Sequence, residues 1–204
     1  MSIYGLKPRF QALLRPLAGV LYRAGVTANQ VTLFACIVSV ALGALLCVEH
    51  ERAALFLLVP AWFFLRMAFN AIDGMLAREF GQASMLGAYL NELTDVISDA
   101  ALYLPFALLP GSNPALLGAV IVLSILSEYA GVLGQAVGKE RRYDGPMGKS
   151  DRAFIFGLLG LLVGFGIAVA PLLPWVWAAL ALLIAVTIVN RVRRGLSAPQ
   201  KSQG

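Results

Sequence analysis

Residues 70–95 read NAIDGMLAREFGQASMLGAYLNELTD, and in this stretch polar residues recur at helical spacing among apolar ones. Asn70 and Asp73 share one face of a first predicted helix, and Asn91, Asp95 and Asp99 share one face of a second. Carboxylates are costly inside a bilayer and are rarely found there without a cation, a partner or a chemical task. The stretch therefore predicts a polar site between two membrane helices.

Composition places the whole chain in the membrane class. Hydrophobic residues make up 59% of its 204 residues and charged residues 13%, with a mean hydropathy of +0.79. A bilayer core about 30 Å thick needs roughly 20 apolar residues per helical span. Such stretches occur at about residues 31–48, 53–76, 86–109, 116–137, 153–170 and 173–189. We expect an all-α integral membrane protein in which six transmembrane helices form a single domain over residues 1–204.

The distribution of basic residues predicts the orientation of these spans. Lysine and arginine concentrate before the first span, between the fourth and fifth, and after the sixth. The positive-inside rule then places both termini in the cytoplasm of a multi-pass inner (plasma) membrane protein. The net charge of +5 is explained by this topology and requires no nucleic-acid partner, although a basic face also suits anionic membrane lipids.

The two ends of the chain are expected to differ from the spans. Residues 1–24 mix leucines and other apolar residues with arginines, which predicts an amphipathic helix lying in the membrane interface. Residues 195–204 are polar and small, which predicts a disordered tail.

The residue types of the opening stretch suit a divalent cation and a phosphate. A short connection over residues 79–86 predicts that its two helices are antiparallel neighbours, so that oxygen ligands from both converge. Mg²⁺ prefers such oxygen ligands together with substrate phosphates. Gly74 and Gly87 leave room for a ligand or a backbone to approach, and Arg78 can hold a phosphate through paired hydrogen bonds.

At these residues the chain resembles the CDP-alcohol phosphatidyltransferase (CDP-alcohol phosphotransferase) family, whose signature is D-x2-D-G-x2-A-R-x8-G-x3-D-x3-D. The spacing matches throughout, and six of the eight fixed positions hold the expected residue. Asn70 and Asn91 stand where the first and third aspartates belong. Residues 25–32, GVTANQVT, also resemble the family's usual sequence before the first span, and the likeness covers nearly the whole chain.

The resemblance implies a phospholipid-biosynthetic transferase. Such an enzyme moves a phosphatidyl group from a CDP-linked donor such as CDP-diacylglycerol to an alcohol or phosphorylated alcohol, releases CMP, and commonly pairs as a homodimer. It implies ligands for one or two Mg²⁺ or Mn²⁺ ions at Asn70, Asp73, Asn91 and Asp95, with Asp95 also the general base. The donor nucleotide would lie against Gly74, Ala77, Arg78 and Gly87.

The two asparagines leave alternatives open. They keep carbonyl oxygens but remove two negative charges, so we expect one tightly held cation, or a second that binds only with the donor pyrophosphate. A catalytically weakened CDP-lipid-binding homologue is the main alternative. A small membrane transporter is a weaker one, since transport gives no reason for the signature. The acceptor is not specified; glycerol phosphate, inositol phosphate and serine all occur in the family.

Two further groups of charges lie outside the signature. Counted at 1.5 Å per residue, Arg66, Asp99 and Glu128 lie at a shared depth of about 16 to 18 Å, which predicts a buried cluster. It is either a structural ion network or a source of the charge lost at Asn91. Lys149 and Arg152, where the fifth span begins, are candidate contacts for an acceptor phosphate or a lipid head group, unless they belong to a solvated connector.

Overall fold

The computed structural model describes residues 6–137 and 140–197, and the regular structure within them is helical throughout. Two short 3₁₀ helices, Ala53–Leu57 and Leu104–Leu108, precede the third α-helix and follow the fourth. The α-helices in chain order are α1 (Leu6–Arg23), α2 (Ala28–Val48), α3 (Leu58–Glu79), α4 (Met85–Tyr103), α5 (Pro114–Ala136), α6 (Lys149–Gly164) and α7 (Leu173–Ser197).

Capping residues explain where several helices begin. The Thr27 hydroxyl accepts a hydrogen bond from the Gln30 backbone, and the Gln30 side chain accepts one from Thr27. The Ser84 side chain accepts from the Gly87 backbone and so starts α4. At the start of α6, the Gly148 backbone donates to the Asp151 carboxylate at 2.8 Å. These local bonds satisfy backbone donors that the first helical turn leaves free.

Four helical segments are long and apolar enough to cross a membrane: Ala28–Val48, Ala53–Arg78, Pro114–Ala136 and Leu173–Ser197. The described residues at the other two predicted spans form shorter helices. α4 has 19 residues, carries the three carboxylates Glu92, Asp95 and Asp99, and is followed by the 3₁₀ helix that begins at Leu104. α6 has only 16 residues and ends just before Gly166, whose φ is +73°. The all-helical membrane class is confirmed, and the count of six spans stays a prediction.

The disordered tail was predicted to begin at residue 195, but the last helix extends further. α7 continues through residues 195–197, because Ser197 still donates to the Arg193 carbonyl within the helix, and residues 198–204 lie outside the described part of the chain. At the other end, residues 6–23 of the predicted interfacial segment form α1, while residues 1–5 lie outside the described residues.

α2 is the helix around which the site is built. It packs against both α3 and α4, whereas α3 and α4 are not among the closely packed helix pairs of the described residues. The predicted neighbours α3 and α4 contact each other through long side chains, since Arg66 on α3 pairs with Asp95 and Asp99 on α4. α4 lies tightly against α2 at Gly43, where an added Cβ would overlap the carbonyl oxygen of Ala101. The polar side chains of α3 and α4 meet across the remaining gap.

The other helices complete the bundle on two sides. α6 packs against α3, and α5 packs against α7. Aromatic side chains join these helices, since Phe156 stacks on Tyr103 with ring centroids 3.8 Å apart and on Trp177 at 5.5 Å. All three side chains are fully buried.

α1 is held to α3 rather than standing free. Ala18 is buried against a small apolar cluster that includes Ile72 and Leu76, and the Arg15 guanidinium pairs with Glu79 at 2.9 Å. This hydrogen bond and the arginine charge hold the pKa of the Glu79 carboxyl below its ordinary value. The opposite face of α1 exposes Leu13, as a helix in contact with lipid would.

Replacing Gly43 by alanine tests the contact between α2 and α4. An alanine in a helix is ordinarily more stable than a glycine by about 1 kcal/mol, so a loss of stability can only come from the added Cβ pressing on Ala101. We expect Gly43→Ala to lower the thermal midpoint in detergent by roughly 5 °C. Gly118→Ala in α5, where open space surrounds the glycine, is the matched control and should not lower the thermal midpoint. Equal midpoints for both variants would contradict the packing.

Candidate functional site

Asp73 lies on the face of α3 that is turned toward α2. Its side chain is buried, and its Oδ2 accepts a hydrogen bond from the Thr32 hydroxyl at 2.8 Å. The same hydroxyl lies 3.1 Å from the Ala28 carbonyl oxygen. Thr32 therefore orients one oxygen of Asp73 and leaves the other for a further partner.

Asp95 lies on α4 between two cations. Its Oδ2 is 2.5 Å from the Lys149 Nζ at the start of α6, and its Oδ1 is 3.2 Å from the Arg66 Nη2 on α3. Asp73 interacts electrostatically with both Asp95 and Lys149. The two aspartates thus belong to one site, although their helices do not pack closely. Lys149, a candidate phosphate contact in the sequence, is here paired with Asp95.

The asparagines and glycines of the signature, Asn70, Gly74, Gly87 and Asn91, are half-buried on the two helices that carry the aspartates. The Arg78 guanidinium folds back over Gly74, where an added Cβ would lie 2.6 Å from its Nη2. Asn29 covers Gly87, where an added Cβ would lie 2.8 Å from the Asn29 Oδ1. Arg78 itself is exposed and Ala77 half-buried beside it.

The site offers a small set of hard oxygen donors. No group of three or more histidine, cysteine, aspartate and glutamate side chains is placed to hold a metal within residues 6–137 and 140–197. The two carboxylates and two side-chain amides are nevertheless oxygen ligands of the type that Mg²⁺ and Mn²⁺ accept. With two carboxylates, and a lysine already beside one of them, this donor set fits one divalent cation better than two.

A buried ion network lies deeper than Asp95. Arg66 is 4% exposed, and its Nη1 donates to the Asp99 Oδ1 at 2.5 Å while its Nη2 donates to the Asp95 carbonyl oxygen at 3.1 Å. Arg152 is fully buried and donates to the Glu128 Oε1 at 2.9 Å, with the Asp99 Oδ2 3.8 Å away. The structure therefore brings Arg66 and Asp99 together as a pair, and Glu128 joins them through Arg152.

Sequence reasoning missed two of the network's arginines and one of the site's hydroxyls. Arg141 belongs to the basic segment between the fourth and fifth predicted spans, yet its Nη2 donates to the Glu128 Oε2 at 3.2 Å and its Nη1 pairs with Glu92. Arg191 was expected only as a topology signal after the last span, yet it is 2% exposed and lies 3.4 Å from Glu128. Gly131 on α5 makes room for the Arg191 guanidinium, since an added Cβ there would lie 3.2 Å from it. The available signal for Thr32 was its place in the GVTANQVT segment.

A family model described as CDP-alcohol phosphatidyltransferase matches residues 25–189 of the chain. Inner membrane protein YnbA of Escherichia coli strain K12 is 49% identical over 197 residues, which cover 95% of this chain and 96% of that protein. Phosphatidylinositol phosphate synthase of Corynebacterium glutamicum is 29% identical over 205 residues, covering 97% of this chain and 90% of that protein.

Two solved structures of Mycobacterium tuberculosis phosphatidylinositol phosphate synthase share the fold. The structure with CDP-DAG bound superposes with a TM-score of 0.70 at 25% identity, covering 90% of this chain and 94% of the other. The complex with manganese and citrate superposes with a TM-score of 0.73 at 26% identity, covering 90% of this chain and 89% of the other.

Thr32→Val tests the role of the hydroxyl that orients Asp73. Groups that orient a metal ligand typically contribute a factor of 10 to 100 in metal affinity. We expect Thr32→Val to weaken Mn²⁺ binding by about tenfold, measured by electron paramagnetic resonance of Mn²⁺ titrated into the detergent-solubilised protein. Thr32→Ser keeps the hydroxyl and is the control. Equal affinities in the two variants would show that the bond to Asp73 has no part in metal binding.

Proposed function

Because the chain belongs to the CDP-alcohol phosphatidyltransferase family, we propose that it transfers a phosphatidyl group from CDP-diacylglycerol to an alcohol hydroxyl and releases CMP. The protein is a divalent-metal-dependent phosphotransferase of the inner membrane that serves phospholipid biosynthesis. The donor follows from the related structure that holds CDP-DAG at 25% identity. The observation that carries the proposal is the Lys149–Asp95 ion pair at 2.5 Å, because Asp73 of the neighbouring helix lies within electrostatic range of both groups.

Each signature residue has a proposed role. Asp73 and Asp95 hold the cation with their carboxylates, and Asn70 and Asn91 add amide oxygens. A bound Mg²⁺ or Mn²⁺ would neutralise the negative charge that develops on the departing CMP. Arg78 binds a donor phosphate, and the small residues Gly74, Ala77 and Gly87 leave room for the nucleotide.

Asp95 is the proposed general base. It would accept the proton of the acceptor hydroxyl as that oxygen attacks the phosphorus of the donor and the bond to CMP breaks. Lys149 and Arg66 lie on either side of this carboxylate, at 2.5 and 3.2 Å. Lys149 also supplies a positive charge beside Asp95, which favours one tightly held cation.

The arrangement in the membrane is proposed as the sequence predicts it. α4 and α6, with the segments that follow them, would complete six spans with both termini in the cytoplasm, and α1 would lie in the interface. Asp73 and Asp95 would then lie just below the inner head groups. We also propose a homodimer, for which the family resemblance is the only support.

A catalytically weakened CDP-lipid-binding protein is the second candidate. The observation in its favour is the pair of asparagines, which lowers the negative charge available to bind metal. No finding supports a transporter. Turnover of CDP-diacylglycerol by the purified protein separates the two remaining candidates.

Asp95→Asn tests the proposed base and metal ligand. With CDP-diacylglycerol, Mn²⁺ and a panel of alcohols, we expect EDTA-sensitive CMP release that falls by at least about 100-fold in Asp95→Asn. Glu51→Gln makes the same carboxylate-to-amide change at an exposed position between α2 and α3 and should retain activity. Binding of CDP-diacylglycerol without CMP release would favour the weakened homologue, and full activity of Asp95→Asn would remove Asp95 from the mechanism.

A further inference from the structure

One buried arginine holds Asp95 by its backbone and by its side chain. The Arg66 Nη2 donates to the Asp95 carbonyl oxygen at 3.1 Å and to the Asp95 Oδ1 at 3.2 Å, while its Nη1 donates to the Asp99 Oδ1 at 2.5 Å. Arg66 and Asp99 are each 4% exposed. A donor that binds the backbone and the carboxylate of the same residue restricts the direction in which that side chain points.

The two oxygens of the Asp95 carboxylate face different surroundings. Oδ1 faces the buried Arg66 on α3, whereas Oδ2 lies 2.5 Å from the Nζ of Lys149, whose side chain is 29% exposed. Asp73 follows Arg66 by seven residues on the same face of α3 and interacts electrostatically with both Asp95 and Lys149. A lysine on a flexible, partly exposed stem can move aside for an incoming cation, whereas the buried guanidinium is fixed by three hydrogen bonds.

Asp99 supplies Arg66 with a counter-ion of its own. A buried arginine without one would take its charge balance from Asp95 alone. Its two Nη atoms would then pair with both Asp95 oxygens, as arginine and carboxylate groups commonly do. The bond from the Arg66 Nη1 to Asp99 prevents this bidentate pairing, so Asp95 keeps its second oxygen for another cation.

We infer that Arg66 is the positioning residue of Asp95, and that by holding Oδ1 it makes Oδ2 the oxygen that Asp95 presents to the divalent cation. Asp99 keeps Arg66 in this role. The inference rests on the proposed phosphatidyl transfer, since it concerns the residue proposed as its base and metal ligand. Arg66 acts through Asp95 and is not itself a catalytic residue.

The first test measures Mn²⁺ affinity by electron paramagnetic resonance without substrates. Arg66→Lys keeps a charge to pair with Asp99 but loses the second nitrogen that holds Asp95, so we expect Mn²⁺ to bind about tenfold more weakly than in the wild type. Arg191→Lys is the matched control, because Arg191 is 2% exposed and pairs with Glu128 and the Ser127 carbonyl. It should bind Mn²⁺ as the wild type does. Wild-type affinity in Arg66→Lys, or an equal loss in both variants, would overturn the inference.

A second measurement needs no variant to fold. In crystals of the wild type soaked with Mn²⁺, Asp95 should bind the ion through Oδ2 alone, with Arg66 still within hydrogen-bond distance of Oδ1. Coordination by both Asp95 oxygens, an ion that does not contact Asp95, or an Arg66 turned away from it would each refute the inference.

The CMP-release assay separates this inference from the proposed function. At saturating Mn²⁺, Arg66→Lys should lower kcat about tenfold, because the proposed base is no longer held, and leave KM for CDP-diacylglycerol within about threefold of the wild-type value. Wild-type kcat in Arg66→Lys would refute the inference while the proposed function stands. A wild type that releases no CMP, together with weakened Mn²⁺ binding in Arg66→Lys, would refute the proposed function and support the role of Arg66.

Discussion

A charge inside a membrane must be paired, and the pairing of Arg66 is the contact on which the site depends. Arg66 reaches from α3 to the Asp99 carboxylate at 2.5 Å and to the backbone and side chain of Asp95 at 3.1 and 3.2 Å. Removing one partner of a buried ion pair typically costs about 3 to 5 kcal/mol, because the other charge stays buried alone. Through this arginine the two helices hold a defined register although each packs on α2. With this register Asp73 lies within electrostatic range of Asp95.

The start of α6 connects the candidate metal site with the deeper network. Lys149 and Arg152 are three residues apart, so they lie on the same side of one helical turn. The first pairs with Asp95 and the second with Glu128. A shift of α6 therefore changes the Lys149–Asp95 pair and the Arg152–Glu128 pair together. The same pairing keeps the local charge close to balanced, which explains how a chain with asparagine at two signature positions can keep so many ionised groups inside a membrane.

Sequence patterns were sufficient for the features that lie within one helix and insufficient for those between helices. Hydropathy and spacing predict the helices and the polar faces of α3 and α4. They also predict a cluster of Arg66, Asp99 and Glu128, which the structure joins through Arg152. They do not reveal that α4 packs on α2, since that contact depends on the absence of one Cβ at Gly43. Nor do they identify Arg141 and Arg191 as partners of Glu128, because long side chains reach across helices that are distant in the sequence. Pro105 and Gly166 are the sequence signals that α4 and α6 end before residues 109 and 170, where the predicted spans ended.

The most direct measurement is the anomalous scattering of Mn²⁺ in crystals of the protein with CDP-diacylglycerol. The account predicts a peak between α3 and α4, with oxygen atoms of both Asp73 and Asp95 about 2.0 to 2.3 Å from the ion and the donor pyrophosphate on its open side. A Mn²⁺ ion bound away from these two aspartates, or a donor bound with no ion between α3 and α4, would contradict it.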